Sequence, residues 1–314
     1  TNSHAIYAMK GASPASGLDM NYIEASRINI AINDFFNRGM VIRVPINSME
    51  AKERCGIELI KLNGTFSMDS TRMLARDFDI RTVLSKIRFD GALANDFFES
   101  TTSPMWLKLN AAIGIGEIEK LYPTFRPMLQ KIPQYQPLRT KIDIRGTSRI
   151  ININQATAEL PNYLALKVGG RAFYPLNVKR LSADINFKGE LTNADFVKPA
   201  LLDTAMRKQI SLPPLTIDGK LHYAPNDIRG DLSMALKTGE MVFKGNWNGN
   251  SKTYAADLNL SEFPIHAIMP LSQFGIIDAV AQVKGRGYDI YKPTTAIEAD
   301  LKLNKLYYAD QLYN

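Results

Sequence analysis

Residues 215–260 alternate apolar and polar side chains through four successive segments, and no other feature limits the fold of this chain so tightly. Leu215, Ile217, Leu221 and Tyr223 share one phase, followed by Leu232, Met234 and Leu236, then Met241, Phe243 and Trp247, then Tyr254, Ala256, Leu258 and Leu260. The other phase holds Asp218, Lys220, His222, Asp231, Ser233, Lys237, Lys244, Asn246, Asp257 and Asn259. A period of two sends the first set to one face of a sheet and the second to the other. Pro225-Asn226-Asp227, Thr238-Gly239 and Asn248-Gly249-Asn250 supply turn chemistry between the segments. The stretch therefore reads as an antiparallel meander with one apolar and one polar face.

The same rhythm runs through most of the chain. Residues 1–100 read as a strand-rich module, with Ile28, Ile30 and Ile32, then Ile42, Val44 and Ile46, then Phe66 and Met68 in phase. Pro45 has no N–H to give a ladder and is expected at an edge or an irregular position. Asn63-Gly64 is a hairpin signal. Over 101–137 the spacing changes to three and four, and Pro123, Pro127, Pro133 and Pro137 divide it into short helices. Strands resume over 138–270, interrupted by the best helix pattern of the chain at about 193–210 and by one helical turn at 263–270. A further strand module starts at 271 and is still running at 314. Recurring strands punctuated by short helices suggest repeats that stack on their neighbours.

Composition excludes several classes. At 45% hydrophobic and 22% charged residues the 314-residue chain is a folded one, of about two domains by length. The net charge of +7 is scattered over polar strand faces, without the runs or interleaved aromatics of a nucleic-acid surface. Such a charge suits weak attraction to anionic lipid headgroups. The one cysteine, Cys55, permits neither an intrachain disulfide nor a thiolate metal site, and this scarcity fits an oxidising compartment. No run of about 20 apolar residues and no signal-peptide pattern occurs. The abrupt start and finish read as an excised piece, with any anchor expected outside it.

No catalytic constellation emerges. His4, His222 and His266 are widely separated, and none has a second ligand at metal spacing. Gly114 and Gly116 lack the third glycine and the βαβ setting of a dinucleotide site. Asp77 and Asp79 alternate with apolar residues and so belong to a wet sheet face. Cys55 follows Arg54, but no histidine is near it in sequence, and an inert thiol is expected. Asn63-Gly64-Thr65 matches a glycosylation acceptor within the expected turn. The reading is of a chain that is not an enzyme and needs no cofactor.

A continuous apolar face must close into a barrel, meet a second sheet, or curl around something. Strand after strand without Greek-key returns favours a mainly β fold: a long curved antiparallel half-pipe, β-taco-like, with an apolar concave face and a few short helices. Seven residues span about 23 Å, room for extended acyl chains.

Certain segments carry a family resemblance. They are Leu215-Thr-Ile-Asp-Gly-Lys-Leu221, Gly230-Asp-Leu-Ser-Met234, Phe243-Lys-Gly-Asn-Trp247 and Ala256-Asp-Leu-Asn-Leu-Ser-Glu-Phe-Pro264. Val283-Lys-Gly-Arg-Gly287, Ala299-Asp-Leu-Lys-Leu303, the Phe-Asn-Arg-Gly turn at 36–39 and Ser67-Met-Asp-Ser70 add to them. In these the chain resembles the AsmA-like superfamily, and within it the TamB (translocation and assembly module) family of diderm bacteria. The resemblance implies a periplasmic segment, an inner-membrane anchor upstream of residue 1, and a terminal domain downstream. It further implies passage of phospholipid between inner and outer membranes and support of outer-membrane protein assembly with an Omp85-type partner, bound through regions outside this chain.

On that reading, acyl chains lie along Leu181, Ile185, Phe187, Leu215, Ile217, Leu221, Tyr223, Leu232, Met234, Leu236, Phe243, Leu258 and Leu260. No nucleic acid and no metal are expected. The competing expectation is a structural or adhesive β-sandwich in which these residues fill a closed core, with a carbohydrate-active β-solenoid enzyme third.

Overall fold

Alternating segments with a β-branched and aromatic bias become strands because a pleated, half-buried surface suits both side-chain shape and period. The computed structural model describes residues 3–287, 289, 291–309 and 311–313, and for Leu201 the backbone alone. It is mainly β, with 60% of residues in strands and 9% helical. Contacts divide the chain into two compact units, Thr1–Pro161 and Asn162–Asn314.

The first unit is an antiparallel sheet of β1 (His4–Ala8), β2 (Tyr22–Ile32), β3 (Phe36–Arg38), β4 (Val41–Glu53), β5 (Glu58–Met68), β6 (Arg72–Thr82), β7 (Lys86–Ala94), β8 (Pro104–Gly114), β9 (Pro137–Thr147) and β10 (Ile150–Leu160). Each strand pairs with the next in sequence, except that β2 and β3 share one side of β4. Pro45 lies where β4 passes from β3 to β2, between Arg43, paired with Phe36, and Ile46, paired with Ile32. It has no partner in β2 or β3 there and keeps register only with Thr65 of β5, an irregular position of the expected kind.

The second unit is a plain meander of β11 (Leu164–Phe173), β12 (Ser182–Leu191), β13 (Leu215–Ala224), β14 (Asp227–Ala235), β15 (Glu240–Asn248), β16 (Thr253–Pro264), β17 (Phe274–Arg286), β18 (Ala296–Tyr308) and β19 (Gln311–Tyr313). Among the described residues neither unit pairs its last strand back onto its first, so both sheets are open rather than barrels. The turns expected within 215–260 all form. Asn226 takes φ 62° in the two-residue β13–β14 turn, and Gly239 takes φ 96° before β15.

Three expectations are corrected. Asn63-Gly64 makes no hairpin: it lies inside β5, where the pairing with β6 slips between Asn63 and Thr65. Gly64 adopts φ 149° there and lies against Phe78, so the glycine serves a bulge. Residues 104–114, expected in the helical interruption, form β8, with Leu107 and Leu109 facing Gly91 and Phe89. Helix begins only at α1 (Ile115–Leu121), followed by a 3-10 turn at Pro123–Phe125 and α2 (Arg126–Leu129).

The continuous helix expected at 193–210 is broken. It consists of a 3-10 turn at Asp195–Val197, α3 (Lys198–Leu201) and α4 (Met206–Gln209), with extended backbone at Leu202. Asp203 Oδ1 accepts the amides of Ala205 and Met206, each at 2.9 Å, and so starts a new helical turn where the first has ended. The single turn expected near 265 forms as α5 (Ile265–Ile268).

Helical connections gather at one end of each sheet. In the first unit they join β8 to β9, on the side of the β6–β7 turn. Glu117 of α1, 3% exposed, accepts from Thr82 Oγ1 at 2.5 Å, from the Leu84 amide at 3.1 Å and from Ser85 Oγ. In the second unit they join β12 to β13 and β16 to β17, and the Ser211 amide bonds Ile268 O at 2.7 Å. The buried apolar residues Ile115, Leu129 and Ile132 belong to the first cap, and Ala194, Phe196, Leu215 and Phe263 to the second.

Candidate functional site

In an antiparallel ladder, residues directly opposite share a face. The registers of the second unit therefore define rows that cross β11 to β18 from strand to strand. One row is Val168, Phe187, Gly219, Leu232, Phe243, Leu258, Ala281 and Leu301. The next, toward the helical end, is Leu166, Gly189, Ile217, Met234, Met241, Leu260, Ala279 and Leu303. On its other side lie Gly170, Ile185, Leu221, Gly230, Gly245, Ala256, Val283 and Ala299. An outer row at the turn end adds Tyr223, Ile228, Trp247 and Tyr254. No charged side chain interrupts these rows.

Glycines in the rows sit under large neighbours. A Cβ on Gly219 would come 2.8 Å from Phe187 Cζ, and one on Gly245 would come 2.7 Å from Phe243 Cζ. The rings fold over the bare backbone and keep the face continuous.

Among the described residues this face is only partly covered: ten of the thirteen candidates are half-buried, and Leu221 and Tyr223 are exposed. Leu221, Tyr223 and Ile228 remain 37–39% exposed, and Leu301 remains 72% exposed. Of the thirteen candidates only Leu215 is buried. The chain exposes 19790 Å². A compact monomer of its mass exposes about 13,100 Å², and the same mass as two separate compact bodies about 15,800 Å². The excess is open sheet.

The opposite face is polar and paired by charge. Lys220, Asp231, Lys244 and Asp257 follow one another across β13 to β16 with alternating sign. His222, expected on this face, lies on it and pairs with Asp184 at 2.7 Å through Nδ1. The guanidinium of Arg229 donates to Asp227 at 2.6 Å and holds that carboxyl below the usual aspartate range. In the first unit a hydrogen bond from Arg81 does the same for Asp79, which also faces Arg88 at 3.4 Å. Asp79, expected on a wet sheet face, is the ionic partner of Arg81 and of Arg88, which stands opposite it in the ladder. Burial, then a hydrogen bond to Glu53, pushes the Cys55 thiol up to about 11. Among the described residues no three metal-binding side chains cluster, and no helix is long and apolar enough to cross a membrane.

The chain matches no family model, no curated protein and no solved structure.

The structure gathers eleven of the thirteen candidate lining residues onto the one apolar face: Ile185, Phe187, Leu215, Ile217, Leu221, Tyr223, Leu232, Met234, Phe243, Leu258 and Leu260. Leu181 and Leu236 have the right phase but stand just outside the ladder. Leu181 precedes β12, and Leu236 is in the β14–β15 turn, its amide bonded to Gly239 O at 3.0 Å. The face also reaches beyond the expected residues: Leu166, Val168, Ile228, Met241, Trp247 and Val283 extend the same rows. Met241 and Trp247 already stand in the apolar phase of 215–260, and 164–173 and 274–286 alternate in the same way.

Proposed function

We propose that the chain is a non-enzymatic lipid-binding segment that holds acyl chains on the apolar face of its second unit. The single observation that carries this reading is that the face runs in charge-free rows yet stays half-buried to exposed, with only Leu215 of the thirteen candidates buried and Leu221 at 38%. Apolar surface of this extent in water is stabilised by an apolar occupant, at about 0.8 kcal/mol per buried methylene. Neighbouring rows offer nearly equal contacts, so a chain slides between them at little cost. That is passive conduction, with headgroups left in water.

In its strand pattern the chain resembles AsmA-like and TamB-type envelope proteins, and we extend the proposal accordingly. The occupant is phospholipid moving between inner and outer membranes through the periplasm. The anchor and the docking of an Omp85-type partner lie outside this chain.

The test is a photocrosslinking side chain at Met234, with a second at Ser233 on the polar face, in cells labelled with radioactive phosphate. Phospholipid adducts at Met234 and none at Ser233 are expected. Absence of adducts at both overturns the proposal and returns the filled sandwich, which requires a covering layer over Leu232 and Met234.

A further inference from the structure

At the turn end of the second unit the apolar face changes character. Its three inner rows contain no tyrosine or tryptophan, whereas the outer row holds Tyr223, Trp247 and Tyr254. These residues combine an apolar body with a polar tip, and they collect where an apolar phase meets water, as at the headgroup level of a bilayer. The pair Ala172 and Ala183 continues this row onto β11 and β12. Just past that pair, the connection 174–181 carries Leu176 and Val178, which are 55% and 80% exposed.

The connection is built to hold those two side chains out. The Asn177 amide donates to Tyr174 O at 2.9 Å, and the Arg180 amide donates to Asn177 O at 2.9 Å, which makes two consecutive turns. Asn177 Oδ1 accepts the Lys179 amide at 3.1 Å. The Arg180 guanidinium lies 3.8 Å from the centre of the Tyr174 ring and ties the two ends of the connection together. Already ordered, it has little freedom to lose on docking. Charge then selects the partner. From Val168 to Ala183 the sequence has Arg171, Lys179 and Arg180 and no acid, and the turns 225–226 and 249–252 at the same end add Lys252 and no acid. The acids nearest this end are already paired: Asp184 with His222 at 2.7 Å, Asp227 with Arg229 at 2.6 Å, and Asp289 with Lys292 at 3.6 Å.

We infer that the turn end of the second unit docks on an anionic phospholipid bilayer. Leu176 and Val178 enter the boundary of the acyl region, Lys179 and Lys252 meet lipid phosphates, and the row of Tyr223, Trp247 and Tyr254 lies at headgroup level. The apolar rows then begin at the bilayer surface, where an acyl chain would enter them. Docking itself requires no occupant of those rows and goes beyond the lipid-holding reading.

The experiment is flotation of the whole chain with vesicles of phosphatidylcholine alone and of phosphatidylcholine mixed equally with phosphatidylglycerol. Binding to the mixed vesicles is expected to be about tenfold stronger or more. Lys179→Gln is expected to weaken it about fivefold, and Leu176→Asn together with Val178→Asn about tenfold or more. All three positions are exposed, so the fold does not depend on them. On the mixed vesicles a photocrosslinking side chain at Val178 is expected to capture lipid. One at Leu271, 79% exposed in the α5–β17 connection at the helical end, is expected to capture none. Absence of flotation on both vesicles overturns the inference and leaves this end to an acidic protein surface. Equal binding to both vesicles, or adducts at Leu271 matching those at Val178, overturns it equally. Adducts at Val178 without adducts at Met234 uphold docking and count against acyl chains on the apolar face. Adducts at Met234 without adducts at Val178 overturn docking and leave the acyl-chain reading standing.

Discussion

The ring of Phe187 lies over Gly219, its partner across the β12–β13 ladder, so closely that a Cβ on Gly219 would stand 2.8 Å from Phe187 Cζ and 2.6 Å from Asp231 O. Gly230, on the same face one strand further on, has nothing within 4 Å of its missing side chain. Gly219→Ala is therefore expected to destabilise the second unit by about 1–3 kcal/mol through overpacking, and Gly230→Ala to be near neutral. Thermal unfolding followed by circular dichroism checks the contrast. At about 2–4 °C per kcal/mol the two variants separate cleanly, and equal losses for both would contradict the packing described.

Glu117 concerns the cap of the first unit. Its buried carboxylate answers Thr82 Oγ1, Ser85 Oγ and the Leu84 amide. Glu117→Ala strands those donors and is expected to cost about 3 kcal/mol. Urea unfolding measures the loss. Hydrogen exchange at the Leu84 amide should accelerate with it, while amides of the second unit stay protected.

The Cys55 thiol, raised to about 11 from an ordinary 9.0 chiefly by burial, has very little thiolate at pH 8. Alkylation by iodoacetamide at that pH is expected to be about a hundredfold slower than for an ordinary thiol. The folded state favours the protonated form, so this contribution to stability is complete below about 9 and is lost as pH rises toward about 11. Glu53→Gln removes the second cause and should speed alkylation. A rate like that of a free thiol would show that the site opens readily.

Acyl-chain binding makes its own prediction. If the apolar rows hold the chain, affinity for a lysophospholipid series rises about fourfold per added methylene, equivalent to about 0.8 kcal/mol each. Calorimetric titration of the series measures this. Substituting Leu232 and Leu258, which both face Phe243, by glutamate should abolish the dependence without unfolding the sheet, since both positions are only half-buried. An affinity indifferent to chain length argues for headgroup binding alone.

Much of the fold was legible from residue to residue. The strands of 215–260, their turns and the helical turn at 265 stand where alternation and turn chemistry put them. The misreadings have local causes. Asn63-Gly64 carries the dipeptide of a hairpin, yet the ladder continues through it because Gly64 relieves a bulge against Phe78. Residues 193–210 carry helical spacing, yet the extended backbone at Leu202 and the capping carboxylate of Asp203 divide them. Leu181 and Leu236 keep the phase of the apolar face, yet lie past the ends of their strands, since phase carries no information about where a ladder stops.

Sequence alone determined the strands of 215–260, the two faces of each, and most of the side chains on the apolar one. Those properties follow from a period of two and need only neighbours along the chain. Registers, glycines shielded by rings, and charge pairs such as His222 with Asp184 depend on residues far apart in sequence. So does the openness of the apolar face. Whether an apolar face becomes a core or a surface depends on whether another layer is brought against it, and only the tertiary structure decides that.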